Sequence, residues 1–323
     1  MEDVRATALR VFNERLRFTG KPQQAYILCQ TGSAAEQRPF AWEWIEESEL
    51  VIRAKLCVEP GESMLIWLPA ITTDAYWDIQ QETFMSLVDL FQLDYAALRP
   101  ISTIETAFCL FPGDRSETIY IRISSSIVVW AFDKSSHTTR GFIITGGTET
   151  YDSNEQHSPS PAILHLRHRA HLLGEPLGLL WHCYVYGLNK SKEINDKCYD
   201  VLSTVENSTG FGTDVRPKIL DSPGLYTEWL RNIAESSSAL TVAQSKCCLL
   251  LCVQEALARV DVAGEPIFKD QVALSVTKGQ LDHETHKIDF LMKRTQNQAS
   301  VVCNYFLTSS TFLASYMLRA LIA

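Results

Sequence analysis

Apolar residues return at near-helical spacing in residues 3–17, where Val4, Leu9, Val11, Phe12 and Leu16 stand among Arg and Glu. That spacing predicts a helix. Short apolar runs follow at 25–29, 50–58 and 64–69, and they read as strands. Pro60-Gly61 separates the last two as a turn. Thr72 or Thr73 can cap a helix with its body at 75–91, where Trp77, Ile79, Phe84, Leu87, Leu90 and Phe91 are among the apolar residues. Four more strands are predicted at 104–111, 117–124, 126–132 and 140–145, with Pro112-Gly113-Asp114 turning between the first two. In 117–123 Ile alternates with Thr, Tyr and Arg, which predicts one wetter face.

The pattern then changes. Residues 151–161 belong to a polar stretch with Ser and Pro and no apolar periodicity, a loop or linker between a mixed α/β domain at 1–150 and a helical region at 162–265. Helices are predicted at 162–173, 176–206, with a break allowed near Gly187-Leu188-Asn189, and 224–260. After Pro266 no proline occurs up to Ala323 and the one glycine is Gly279. The stretch 266–323 therefore reads as one stalk-like helix. At about 1.5 Å per residue such a helix outruns a compact domain of this size, so it projects or packs against copies of itself. The expected fold class is α+β: a sheet domain, then antiparallel helices and one very long C-terminal helix.

From Ala299 to Leu318 twenty consecutive residues carry no charge. Their number suits one bilayer span, and Lys293 and Arg294 ahead of it favour a cytosolic N-side. Asn304, Thr308, Ser309, Ser310, Thr311 and Ser315 interrupt it, and burial by other helices or by an oligomer partner fits the same stretch.

Composition narrows the class. The chain has 323 residues with 46% hydrophobic and 21% charged, ordinary for globular proteins and enough for about two domains. A net charge of -9 argues against nucleic acid, which recruits clustered Lys and Arg. The nine cysteines show no paired spacing, and Met1-Glu2-Asp3-Val4-Arg5 lacks the start of a signal peptide. Both point to a reducing cytosol.

Catalytic signatures are missing: there is no G-x-x-x-x-G-K-S/T loop, no G-x-G-x-x-G, no G-x-S-x-G, no H-E-x-x-H and no C-x-x-C. That points away from an enzyme. His165, His168 and His171 repeat every three residues, but each step turns a helix by about 300°, which fits a basic face better than a metal site. Asp282 and His286 are i, i+4 on the long helix and could bind a divalent cation together with a neighbouring copy. The same spacing also fits a solvated face with local pairs Asp282–Lys278 and Asp289–Lys293. Cys247, Cys248 and Cys252 lie among leucines and read as a buried stripe. The seven tryptophans, the pair Trp42 and Trp44 among them, read as core and face aromatics.

Two stretches carry a family likeness. Val205-Glu206-Asn207-Ser208-Thr209-Gly210-Phe211-Gly212 ends a helix in a Gly-containing break. Ile288-Asp289-Phe290-Leu291-Met292-Lys293-Arg294-Thr295-Gln296-Asn297-Gln298, followed by Val301-Val302, sits on the stalk-like helix. Both resemble the CorA-like divalent-cation transporters, of the type common in filamentous fungi, over residues 64–303. The resemblance implies the CorA soluble-domain fold, a homo-oligomer, Mg2+ as the ion and a membrane protein with most of its mass cytosolic. In CorA channels carboxylates between neighbouring cytosolic domains bind Mg2+ and hold the closed state. The chain departs from the family after about Tyr305: it has no Gly-Met-Asn tripeptide and no second span, so it resembles the cytosolic body and stalk without the pore. A soluble cytosolic interaction module, with a long docking helix and neither transport nor catalysis, is the alternative expectation.

Overall fold

The computed structural model describes residues 2–18, 24–31, 41–56, 62–70, 76–77, 79–103, 107–123, 126–146, 166, 169–210, 223–260 and 264–322. In chain order these are α1 (Glu2–Arg15), β1 (Arg17–Phe18), β2 (Gln24–Thr31), β3 (Ala41–Glu46), α2 (Glu47–Leu56), β4 (Glu62–Ala70), β5 (Tyr76–Trp77), α3 (Gln81–Leu90), α4 (Leu98–Thr103), β6 (Phe108–Phe111), β7 (Ser116–Ile123), β8 (Ser126–Asp133), β9 (Thr138–Gly146), α5 (Gly178–Thr209), α6 (Pro223–Leu257) and α7 (Gln271–Ile322). The fold is α+β. The chain divides into two compact units, one of residues 1–187 and 251–274, the other of 188–250 and 275–323.

In the first unit nine strands form one sheet, with β4, β9, β8, β7 and β6 side by side in that order. β4 runs parallel to β9 from Met64↔Arg140 to Ala70↔Gly146, and β9, β8, β7 and β6 are joined antiparallel. On its other edge β4 pairs antiparallel with β2, which carries β3. Residues 63–68 of β4 are buried without alternation, as expected of a central strand covered on both faces.

The even-numbered residues of β4, Met64, Ile66 and Leu68, join Val129, Phe142 and Ile144 under the helices α1 to α4. Phe84 sits at the centre of that core. Its ring lies 5.6 Å from Phe12, 5.0 Å from Trp77 and 4.9 Å from Phe142. On the odd-numbered face Ser63 Oγ and Thr139 Oγ1 both donate to the Leu173 carbonyl, at 3.1 and 2.6 Å. They tie the 3-10 turn Ala170–Gly174 to the sheet.

Several expectations change. Residues 50–56 are helical, not a strand. Leu50 and Ala54 are buried four apart, while Ile52 is exposed, and Glu47, Glu49, Arg53 and Lys55 suit the two ends of a helix dipole. The β-branched Val51-Ile52 pair had disguised this. Helix α3 begins at Gln81, with Tyr76 and Trp77 in β5. The Gln80 amide donates to Glu47 Oε1 at 2.6 Å, so a carboxylate from α2 does the capping work, and Thr72 and Thr73 lie outside the described residues. Strand β6 covers Phe108–Phe111, and 104–106 lie outside the described residues. In β7 Thr118 and Tyr120 are both buried, and the Tyr120 hydroxyl donates to the Pro100 carbonyl at 3.1 Å. No wet face remains there beyond the partly exposed Arg122. Helix α5 runs unbroken through Gly187. Helix α7 starts at Gln271, where Asp270 Oδ1 accepts from the Ala273 amide at 2.9 Å. Its 52 residues span about 78 Å at 1.5 Å per residue.

Replacing Phe84 by Ala removes the ring shared by Phe12, Phe18, Trp77 and Phe142 and is expected to cost about 3–5 kcal/mol, read from chemical denaturation; Val4→Ala on the exposed face of α1 serves as the silent control. Asp133 gives a pH signature. Its carboxylate accepts from the Ser135 hydroxyl and amide at 2.6 and 2.8 Å, and these bonds, the hydroxyl first, hold its pKa down at about 2 against the usual 3.8. A depressed carboxylate stabilises the fold above its unfolded pKa and loses that contribution as pH falls through the folded one. Stability should therefore fall from pH 4 toward 2, and Asp133→Asn should flatten that limb of a pH titration of the unfolding midpoint.

Candidate functional site

The second unit is built on one repeat. Along α5 from Leu188 onward the residues closed to solvent are Leu188, Ser191, Asn195, Cys198, Leu202, Val205 and Thr209. Along α6 they include Tyr226, Trp229, Ile233, Ser236, Leu240, Ala243, Cys247 and Leu250, and along α7 Leu281, Glu284, Ile288, Leu291, Thr295, Gln298 and Val302. Each series advances by alternating steps of three and four, the seam of a coiled-coil-like bundle. Asn195 meets Glu284, Asp196 meets Lys287 and Glu206 meets Arg294, so α5 and α7 run parallel. Cys198 Sγ reaches the Ser236 carbonyl at 3.8 Å, while Cys247 lies by Ser191, so α6 runs antiparallel to α5.

Polar residues occupy positions in this seam that normally hold Leu or Ile. One group is Ser191 and Asn195 from α5, Cys247 from α6 and Glu284 from α7, with the part-buried Thr285 beside them. Asn195 Nδ2 donates to Glu284 Oε2 at 2.7 Å and to the Glu284 carbonyl at 3.4 Å. Burial, more than anything else, pushes the Cys247 thiol up; the Glu284 charge adds to this, against the Thr285 and Ser191 hydroxyls. A thiol so placed is neither a nucleophile nor a ready metal ligand. Two heptads further along α7, Gln298 is buried with neither amide atom hydrogen-bonded.

The outer rim of α5 and α7 is charged. Arg294 Nε donates to Glu206 Oε1 at 2.9 Å and its Nη2 to Oε2. The Glu206 hydrogen bond, first of all, raises the Arg294 pKa. The guanidinium also lies 4.9 Å from the Tyr199 ring and 5.5 Å from that of Phe290. The Asp196 carboxyl is held below its usual range by its bond from Lys287.

Asp282 and His286 are both exposed, one turn apart on α7, and His286 Nδ1 lies 2.6 Å from the Asp282 carbonyl. Among the described residues no group of three or more His, Cys, Asp or Glu is placed to hold a metal. No ion pair joins Asp282 to Lys278 or Asp289 to Lys293; the cross-helix pairs Asp196–Lys287 and Glu206–Arg294 form instead. Cys247 is buried, but Cys248 and Cys252 are exposed, since they fall off the seam. His165 and His168 lie outside the described residues, and so do the side chains of Trp42 and Trp44. His171 is exposed.

The stretch Ala299–Leu318 is helical, and its side chains are described as far as Leu307. Among the described residues, Leu225–Leu257 of α6 is long and apolar enough to cross a membrane, with mean hydropathy 1.3. Its inward residues, from Tyr226 to Leu257, are buried in the protein, which also explains such a composition. In the first unit a cavity of about 300 Å³ is lined by Arg5, Asp89, Gln92, Asp94, Tyr95 and Thr118, among others. Its charged groups already satisfy one another: Arg5 grips Asp94 at 2.7 and 3.1 Å and the Tyr95 hydroxyl donates to Asp89.

No family model matches the chain, and no curated protein matches it in sequence. Solved structures do resemble it. Full-length CmaX superposes with a TM-score of 0.56 at 13% identity, over 93% of this chain and 83% of that one. The cytoplasmic domain of ZntB from Vibrio parahaemolyticus RIMD 2210633 gives a TM-score of 0.44 at 10% identity, over 92% of this chain and all of that one; a score of that size carries no argument. The fold, sheet first and long helices after, is thus one shared with CmaX.

The Glu206–Arg294 contact yields a quantitative check. Both side chains are mostly buried, so Glu206→Ala or Arg294→Ala should each cost about 2 kcal/mol. A double-mutant cycle should return a coupling of about 1 kcal/mol or more, measured by denaturant unfolding.

Proposed function

We propose that the chain is the cytosolic body and stalk of a CorA-like Mg2+ transport protein, of the fungal type, with no catalytic activity of its own. The fold shared with CmaX over 93% of the chain carries this reading. The CorA-like stretches at 205–212 and 288–298 support it. Residues 205–209 of the first fall on α5 and the whole of the second on α7, the two helices that the Asn195–Glu284 and Glu206–Arg294 contacts hold in register. In this reading the chain works as a homo-oligomer whose acidic surfaces face each other across subunit boundaries. Mg2+ offsets the repulsion, and its loss frees the subunits to move, a population shift driven by charge. Asp282 and His286, exposed on α7, are the ligands proposed for that ion, completed by a neighbouring copy. Ala299–Leu318 provides the membrane contact.

A second reading has its own observation. Val276, Phe290, Phe306 and Leu307 are exposed apolar residues along α7 in the second unit, the kind of residue a soluble docking module would use. Size-exclusion chromatography with light scattering separates the two. The transport reading predicts an oligomer in millimolar Mg2+ that dissociates on chelation, with Asp282→Asn and His286→Ala together shifting the transition to higher Mg2+. A monomer that ignores both Mg2+ and chelator removes the mechanism and leaves the docking module.

A further inference from the structure

The sheet of the first unit ends at β6, whose register sets Cys109 opposite Tyr120 and Phe111 opposite Thr118 of β7. Just ahead of it the Arg122 amide donates to the Ala107 carbonyl at 3.0 Å. Bonded pairs in an antiparallel ladder recur at every second residue. Ala107, Cys109 and Phe111 therefore bond inward, and Phe108 and Leu110 turn their N–H and C=O groups away from β7. Among the described residues no strand meets that side. Such a free row is a template for another strand, and proteins commonly guard it with charged residues or proline. Phe-Cys-Leu-Phe contains neither; its shortness is its guard.

The same edge borders the cavity of about 300 Å³, which Phe111 of β6 and Ser116 and Thr118 of β7 line together with Arg5, Asp89 and Asp94. Cys109 and Phe111 pack toward the core under α1 to α4, so the cavity lies on the helix-covered face of the sheet. Two carboxylates stand there with one cation. Arg5 is committed to Asp94 by hydrogen bonds of 2.7 and 3.1 Å. Asp89 accepts from the neutral Tyr95 hydroxyl, and among the described residues no ion pair includes it. Its charge is hydrogen-bonded but not neutralised.

We propose that β6 and this cavity form a docking edge for an extended peptide segment that carries a lysine or arginine. The segment adds to the sheet as a further strand and exchanges main-chain hydrogen bonds with Phe108 and Leu110. Its residue opposite Phe111 lies on the same face, with Cβ atoms about 5 Å apart. A basic side chain at that position extends into the cavity, its apolar stem along Phe111 and its charged end toward Asp89. A second copy of β6 would bring no charge to answer Asp89, which favours a basic partner over self-pairing. This surface belongs to the first unit and does not depend on the Mg2+ reading, which concerns α7.

The test is retention of the full chain on arrays of random heptapeptides with the central residue fixed as Lys, Arg, Ala or Glu. The Lys and Arg arrays should retain roughly fivefold more chain than Ala, the worth of a half-exposed ion pair, and Glu should fall to background. Asp89→Asn should erase that preference, since its amide oxygen still accepts from Tyr95 but carries no charge. Leu110→Pro deletes an outward N–H and no bond to β7, a placement that edge strands accept, and it should abolish retention on every array. Amide exchange gives a readout that does not need the proline variant to fold: the best Lys heptapeptide should slow the Phe108 and Leu110 amides of the native chain about tenfold. No retention, retention indifferent to the central charge or surviving in folded Leu110→Pro, or unchanged exchange at these two amides would overturn the proposal. A dimer of the chain alone that Leu110→Pro dissociates would overturn it too, and give the edge to a second copy.

Discussion

A carboxylate buried between helices tolerates few arrangements, and Glu284 is the residue on which the helical unit turns. Its bond from Asn195 pairs residues 89 apart in the chain. The outer contacts keep nearly the same offset, 91 for Asp196–Lys287 and 88 for Glu206–Arg294. Sliding α7 by one residue would rotate the seam by about 100° and strand the charge in apolar surroundings. Apolar contacts alone are forgiving of small slips, whereas a polar pair in the seam specifies register at some expense in stability. Leu202, Leu240, Leu291 and Val302 supply the apolar part of the seam, and Asn195 and Glu284 choose where it sits.

Much of the sheet domain could be read from the chain. The runs at 64–69, 126–132 and 140–145 are strands β4, β8 and β9, because continuous Ile, Val and aromatic residues leave no other way to bury both faces. Residues 50–56 were harder to read, since Val51 and Ile52 favour a strand locally, while the buried pair Leu50 and Ala54 fixes a helix through contacts the sequence does not display. The seam of the second unit was hidden for a different reason. Ser191, Asn195, Glu284, Thr295 and Gln298 occupy core positions, so a search for repeating apolar residues finds gaps where burial has none. The steps of three and four were present, and polar residues at those steps were the missed signal. Asp282 and His286 drew attention by chemistry alone; they lie off the seam, on the exposed face.

The two units divide the burden differently. Around Phe84 the stabilising material is aromatic packing under α1 to α4, which resists change and suits a scaffold. Around Glu284 it is a polar layer held by the Asn195 amide, whose energy depends on charge and hydrogen bonding. In the proposed reading the acidity of the chain, -9 overall, is the source of repulsion between copies that a divalent ion would relieve.

The proposed link between cation and body is tested most directly by calorimetric titration of Mg2+ into the chelator-treated full chain. The account predicts saturable heat that reaches completion by millimolar Mg2+. A titration indistinguishable from dilution into buffer would contradict it.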